Sequence, residues 1–128
     1  MGVTPLLSIV GRVLEVAKGY IPRVDVARIV SEDGSITITM DVHKDIRVFD
    51  EGDTIELSLF NKEPEYVYGV DLCAKAIVVA IRDIDERNAK LTLSIGGLLL
   101  IIQGSKNIIS EENFKPLMEL YIRIKRKS

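Results

Sequence analysis

The stretch S-I-T-I-T-M-D-V-H, Ser35 to His43, alternates apolar and polar residues without a break. Ile36, Ile38, Met40 and Val42 share one face, with Ser35, Thr37, Thr39, Asp41 and His43 on the other. A period of two marks a strand dry on one side and wet on the other, and it sets the class as β. Just ahead, S-E-D-G (Ser31 to Gly34) offers at Asp33-Gly34 the positive φ that a tight hairpin turn needs. V-D-V-A-R-I-V, Val24 to Val30, is then the partner strand.

The same pattern extends outward in both directions. Leu7 to Val16 reads as a long first strand, with Gly11 inside it as a bend or bulge. Thr54 to Leu59, Lys75 to Ile81, Leu91 to Ile95, Leu98 to Ile102 and Met118 to Lys125 follow, and Gly96-Gly97 fits a two-residue hairpin turn. Short helical turns are expected at Lys44–Phe49 and at Ser110–Asn113, where Ser110 can cap backbone donors. The link from Asn61 to Cys73, carrying Pro64 and Gly69, is the irregular excursion. About eight strands with turn signals between them favour a closed barrel or a sandwich. Neither an internal sequence repeat nor a linker is visible, so residues 1–128 read as a single domain.

Composition narrows the function. Apolar residues make up 47% and charged residues 28%, a globular profile, and 128 residues suffice for one core. The net charge of −2, from 17 basic and 19 acidic residues, lacks the basic excess of a free-standing nucleic-acid binder. One cysteine, Cys73, leaves no intrachain disulfide, and one histidine, His43, leaves no two-histidine metal site. The longest apolar run, Ile95 to Ile102, falls well short of the roughly 20 residues a membrane helix needs. The start, M-G-V-T-P, resembles neither a signal peptide nor a myristoylation site, so an intracellular, cytoplasmic location is expected.

Catalytic constellations are not evident. Acidic clusters such as F-D-E-G-D, Phe49 to Asp53, read as turn chemistry. No G-x-S-x-G, phosphate-binding loop or dinucleotide fingerprint occurs. His43, at the outward end of a strand, reads as a surface or interface residue, and Cys73 as a small core residue. For nucleic acid, Tyr66 and Tyr68 share one side of an extended segment, but Glu63 and Glu65 precede them. The basic ending R-I-K-R-K-S reads as a solvated terminus or a contact for an acidic partner rather than a nucleic-acid reader.

One strand departs from alternation. In L-S-I-G-G-L-L-L-I-I-Q-G, Leu93 to Gly104, five apolar residues follow the two glycines. Only one face of a barrel strand points inward, so the other must be covered. Another part of the chain could cover it, or another protein could, and the pattern leaves both open.

This stretch resembles the signature of the eighth-subunit family of archaeal and eukaryotic DNA-dependent RNA polymerases, whose archaeal members carry the letter G. Eukaryotic members read similarly to Ser–(Tyr or Phe)–Gly-Gly-Leu-Leu-Met-Arg-Leu-Gln-Gly, and Ser94, Gly96, Gly97, Leu98, Leu99, Gln103 and Gly104 match in place. Ile95, Leu100 and Ile101 stand for the aromatic, the methionine and the arginine, and Asp71–Ala74 is an insertion. D-V-H-K-D-I (Asp41 to Ile46), E-G-D-T-I-E-L (Glu51 to Leu57), E-Y-V-Y-G (Glu65 to Gly69) and Y-I-R-I-K-R (Tyr121 to Arg126) fall in family order. The likeness covers Asp41 to the C-terminus well and the first 40 residues by strand pattern only.

The resemblance implies an all-β fold, a closed, antiparallel, eight-stranded Greek-key barrel related to the oligonucleotide-binding fold. It implies a non-catalytic accessory subunit without a cofactor of its own, docked on the largest subunit of the multi-subunit complex. Nucleic-acid contact would be weak or indirect, with no membrane involved. By motif it makes Gly96, Gly97, Leu98, Leu99, Leu100, Ile101, Gln103 and Gly104 candidates for the partner interface, with Tyr66, Tyr68 and Gly69 as further ones. The absence of a long acidic loop early in the chain favours the archaeal branch. Two rivals stand beside this reading: a stand-alone single-strand nucleic-acid-binding barrel, and a small barrel enzyme.

Overall fold

The computed structural model describes residues 3–127; Met1, Gly2 and Ser128, and with them the reading of the Met-Gly start, lie outside the described residues. All eight expected strands form: β1 (Leu7–Lys18), β2 (Val24–Ser31), β3 (Ile36–His43), β4 (Thr54–Phe60), β5 (Leu72–Asp83), β6 (Asn88–Ile95), β7 (Leu98–Ser105) and β8 (Glu119–Arg126). They close into an antiparallel barrel in the order β1-β2-β3-β7-β6-β5-β8-β4. Of the two expected short helical turns, Lys44–Ile46 and Glu111–Asn113 each form a single turn, closed by Ile46 N–H to His43 O and Asn113 N–H to Ser110 O at 3.1 Å. Ser110 Oγ does accept the Glu112 N–H, at 3.2 Å.

The strand order is two Greek keys back to back. Strands β1, β2 and β3 are joined by hairpins and β4 returns beside β1; β5, β6 and β7 do the same and β8 returns beside β5. The halves join along β3·β7 and β4·β8, and the register there is two-fold. Thr39 faces Ile101, flanked by Ile38–Ile102 and Met40–Leu100. On the opposite wall Ser58 faces Arg123, flanked by Leu57–Ile124 and Leu59–Ile122. Each long strand breaks register at the equivalent place, past Val13 in β1 and past Val78 in β5.

The turns repeat as well. Gly52 N–H donates to Val13 O at 2.8 Å (φ 88°), and Leu117 N–H donates to Val78 O at 2.8 Å (φ 71°). The duplication lies in the fold and not in the residues, so the reading of no internal sequence repeat stands. Equivalent positions of β3, ITITMDVH, and β7, LLLIIQGS, share no identical residue, so only the alternation is common to both.

The inward faces make one core, including Ile36, Ile38, Met40, Leu57, Leu91, Leu93, Leu100, Ile102 and Ile124. Three bulky aromatics, Phe49, Phe60 and Phe114, are also fully buried. Gly11 is not the bulge. The extra residue in β1 is Leu14, and Gly11 instead lets β2 come close, because a Cβ there would lie 2.6 Å from Val30 O.

The β2–β3 turn follows the Asp33-Gly34 expectation, with Gly34 at φ 78°. Asp33 accepts from Ser35 Oγ (2.7 Å), Ser35 N–H (2.9 Å) and Ser31 Oγ (2.8 Å). These donors, Ser35 first, hold its carboxyl at about 2 against an ordinary 3.8. Because the folded value is depressed, the stabilisation is present above the unfolded value and disappears as pH falls through about 2. Carbon-detected NMR titration should therefore place the Asp33 midpoint near 2. A midpoint at the ordinary value would mean the turn is open in solution.

Candidate docking face

The Gly96-Gly97 hairpin joins β6 to β7 with φ of 59° and 93°, the left-handed pair a two-residue turn demands. Gly97 N–H is held by Ser94 Oγ at 3.2 Å. Nothing lies within 4 Å of where a Cβ on either glycine would point, so the tip is open. From this turn the alternation of β7 is settled: Leu100 and Ile102 are fully buried, and Leu99 and Ile101 face outward. The β3–β7 ladder ends at Met40–Leu100, and beyond it Leu99 N–H is taken by the Asp41 carboxylate at 3.2 Å.

Directly opposed residues on neighbouring strands carry their side chains on one face. Leu99 faces Ser94, which faces Ile77, giving a row across β7, β6 and β5. Ile101 faces Thr92 in the next row, and the bulged Val79 stands beside it on β5. Ile77, Val79 and Leu99 are 44%, 50% and 43% exposed, large fractions for apolar side chains. The two-fold supplies a comparison within the molecule. Where the second half has Ile77, Leu99 and Ile101, the first half has Arg12, Thr37 and Thr39. The bulged residue is apolar and exposed in both halves, Leu14 matching Val79, so the second surface is the more apolar of the two.

The motif residues thus divide by strand parity. Gly96, Gly97, Leu99, Ile101 and Gln103 lie outward and Leu98 is half-buried beside the turn. Leu100 and Gly104 do not belong with them: Leu100 is 0% exposed, and Gly104 is buried where a Cβ would lie 2.4 Å from Ser35 O. The glycine is required by β3 inside the barrel. Sequence reasoning missed Ile77, Val79 and Leu117. The signal was present in I-V-V-A-I, Ile77 to Ile81, a second apolar run without alternation, which the bulge at Val79 splits between two faces.

Tyr66, Tyr68 and Gly69 lie elsewhere, on the Asn61–Asp71 excursion. Gly69, at φ 81°, turns a loop closed by Asp71 N–H to Val67 O (2.8 Å) and Val67 N–H to Asp71 Oδ2 (2.9 Å). Arg123 pins the excursion, donating to Glu65 O at 2.7 Å while its guanidinium covers the Phe60 ring at 4.8 Å. A hollow of about 330 Å³ opens between this loop and Ile46–Val48. Cys73 lines it, outward and half-buried rather than in the core as expected, because Leu72 takes the inward position. Burial first, then the Glu63 carboxylate, pushes its thiol up. His43 is at the outward end of β3 as read, its Nδ1 accepting the Asp45 N–H at 3.2 Å.

A family model for the G subunit of DNA-directed RNA polymerase matches residues 6–127. The chain belongs to that family. It is thereby a subunit of a DNA-directed RNA polymerase, with the partner subunits such an assembly implies. The DNA-directed RNA polymerase subunit Rpo8 of Sulfolobus acidocaldarius is 23% identical over 96 residues, 75% of this chain and 78% of the relative, in keeping with the archaeal reading. Among solved structures, the cytoplasmic molybdate-binding protein ModG is matched over 98% of this chain and 94% of its own, at 18% identity and a TM-score of 0.37. That likeness is too loose to bear on fold or binding.

Proposed function

We propose that this polymerase subunit is a non-catalytic accessory and assembly part of an archaeal enzyme in the cytoplasm. It docks on the largest subunit by the outward face of β5, β6 and β7, with the Gly96-Gly97 turn permitting close backbone approach. The observation that carries this reading is the asymmetry of a symmetric barrel. The same geometry is solvated at Arg12, Thr37 and Thr39 and apolar at Ile77, Leu99 and Ile101. A duplicated fold does not need that difference, whereas a partner does, since exposed apolar residues gathered on one face mark interaction surfaces. Polar groups near the face, Asp41, Ser94, Thr92 and Gln103, are engaged at the turn and the ladder edge or stand singly, which supports scaffolding over chemistry. Nucleic-acid contact is weak or indirect on this reading, in line with the net charge of −2.

Leu99→Asp should lower incorporation into polymerase at least tenfold in competition with the unmodified chain, the loss expected of one central apolar anchor. Thr37→Asp, at the two-fold-equivalent position, should incorporate normally. Both residues face outward, so the melting temperature of the free barrel should hold in each variant. Normal incorporation of Leu99→Asp would move the docking surface to another face.

A further inference from the structure

A closed barrel has no edges, yet this one keeps two short stretches of open edge, one in each half. Past the bulges, β1 and β5 run on as ribbons paired only with β2 and β6. In β5, the Ile84 N–H to Asn88 O bond (2.9 Å) sets the phase, so Arg82 turns its main-chain groups to β6 and Ile81 and Asp83 turn theirs away. In β1, Gly19 N–H to Val24 O (3.0 Å) sets the same phase, and Val16 and Lys18 turn away.

The two edges are treated differently. Val16 N–H is capped by the Glu51 carboxylate at 2.9 Å, which closes the β1 edge. Glu51 precedes Gly52, and its two-fold equivalent, preceding Leu117, is Pro116, whose side chain can accept nothing. Among the described residues Ile81 N–H has no partner across that edge. Three further features gather there. Leu117 is 83% exposed and holds a left-handed φ of 71°, a conformation that is strained for leucine and not for glycine. Ile77 and Val79 offer apolar surface on the outer side. Arg82 and Lys90 stand directly opposite each other, and neither is within ion-pair distance of an acid among the described residues. Like charges so placed repel, and an anion between them would remove the cost.

We infer that the Ile81–Asp83 edge of β5 accepts an extended segment of the largest polymerase subunit by strand addition. That segment carries an acidic side chain toward Arg82 and Lys90 and an apolar one toward Leu117 and Val79. Main-chain bonds to Ile81 and Asp83 supply affinity, and the flanking side chains supply register and selectivity. The inference rests on the docking reading above and specifies how the contact is made.

The test uses the full chain, free and after assembly into polymerase built from its separate subunits. Hydrogen exchange across Val79–Ile84 should slow tenfold or more on assembly. Pro116→Glu, which restores at β5 the carboxylate plug of β1, should reduce competitive incorporation tenfold without changing the melting temperature of the free barrel. Arg82→Glu should do the same through charge reversal. Assembly with fast exchange at Ile81 and Asp83, or normal incorporation of both variants, overturns strand addition and leaves docking standing. Failure of the unmodified chain to assemble overturns both. Protection that rises with concentration in the free chain means a second copy pairs at the edge, and protection removed by nuclease means nucleic acid occupies it; either result overturns the inference.

Discussion

Gly104→Ala should lower the stability of the free barrel by about 3 kcal/mol, the upper range for overpacking, and its melting temperature by roughly 10 °C. A Cβ at this position would stand 2.3 Å from Ile36 Cδ1, 2.4 Å from Ser35 O and 3.1 Å from Ile36 Cα. The methyl end of Ile36 can turn, although it is fully buried and has little room. The Ser35 carbonyl is main chain and can yield only if β3 retreats from β7, at the join of the two halves. That join includes the Ile36–Gly104 pair of the ladder, so the strain falls where the barrel closes. Thermal unfolding followed by circular dichroism measures it. A shift under about 2 °C, small against the loss expected of overpacking, would show that β3 does not approach this closely, and would make Gly104 a candidate partner contact again.

Arg47→Met should cause the second large loss, also about 3 kcal/mol. Asp25 is 5% exposed on β2 and is held by Arg47 Nη1 at 2.5 Å, with Lys44 more distant at 4.0 Å. Arg47 also reaches Asp50 at 3.1 Å, which fastens the Lys44–Asp50 turn over one end of the barrel beside the buried Phe49. Removing the guanidinium leaves a buried carboxylate with only the remote lysine, and an uncompensated buried charge is the costly case. Asp25→Leu combined with Arg47→Met should recover most of the loss, because an apolar pair of similar volume avoids the desolvation of both ions. Urea denaturation of the single and double variants measures the coupling. Equal losses in the two would show that the arginine acts through packing alone.

How far the fold was legible depended on local pattern. The Ser35–His43 alternation placed Ile36, Ile38, Met40 and Val42 inside, and all four are buried. Asp33-Gly34 and Gly96-Gly97 marked their turns because each needs positive φ there. Strand ends ran longer than read: β5 extends to Asp83, since its last residues pair only with β6, and β7 continues through Gln103 and Gly104, which alternation alone does not mark as strand. The two-fold could not be read from residues at all, because Thr39 and Ile101, or Leu57 and Ile122, are equivalent by register and not by identity.

The candidate site was half legible. The run Leu98 to Ile102 located the right strand, but only the parity counted from the Gly96-Gly97 turn separates Leu99 and Ile101 from Leu100 and Ile102. Ile77 and Val79 came from another run, whose bulge conceals which residues face out. The open β5 edge has no sequence signature, since it is defined by what Pro116 lacks relative to Glu51.

The measurement that tests docking most directly places a photo-crosslinking amino acid at position 99 in one chain and at position 37 in another. The two positions are related by the barrel's own symmetry and both point outward, so each serves as the other's control for reach and exposure. Each chain is assembled into polymerase, irradiated, and its adducts are identified by mass spectrometry. A crosslink from position 99 to the largest subunit, with none from position 37, is the predicted result. Crosslinking to the largest subunit from position 37 but not from position 99 would contradict the account.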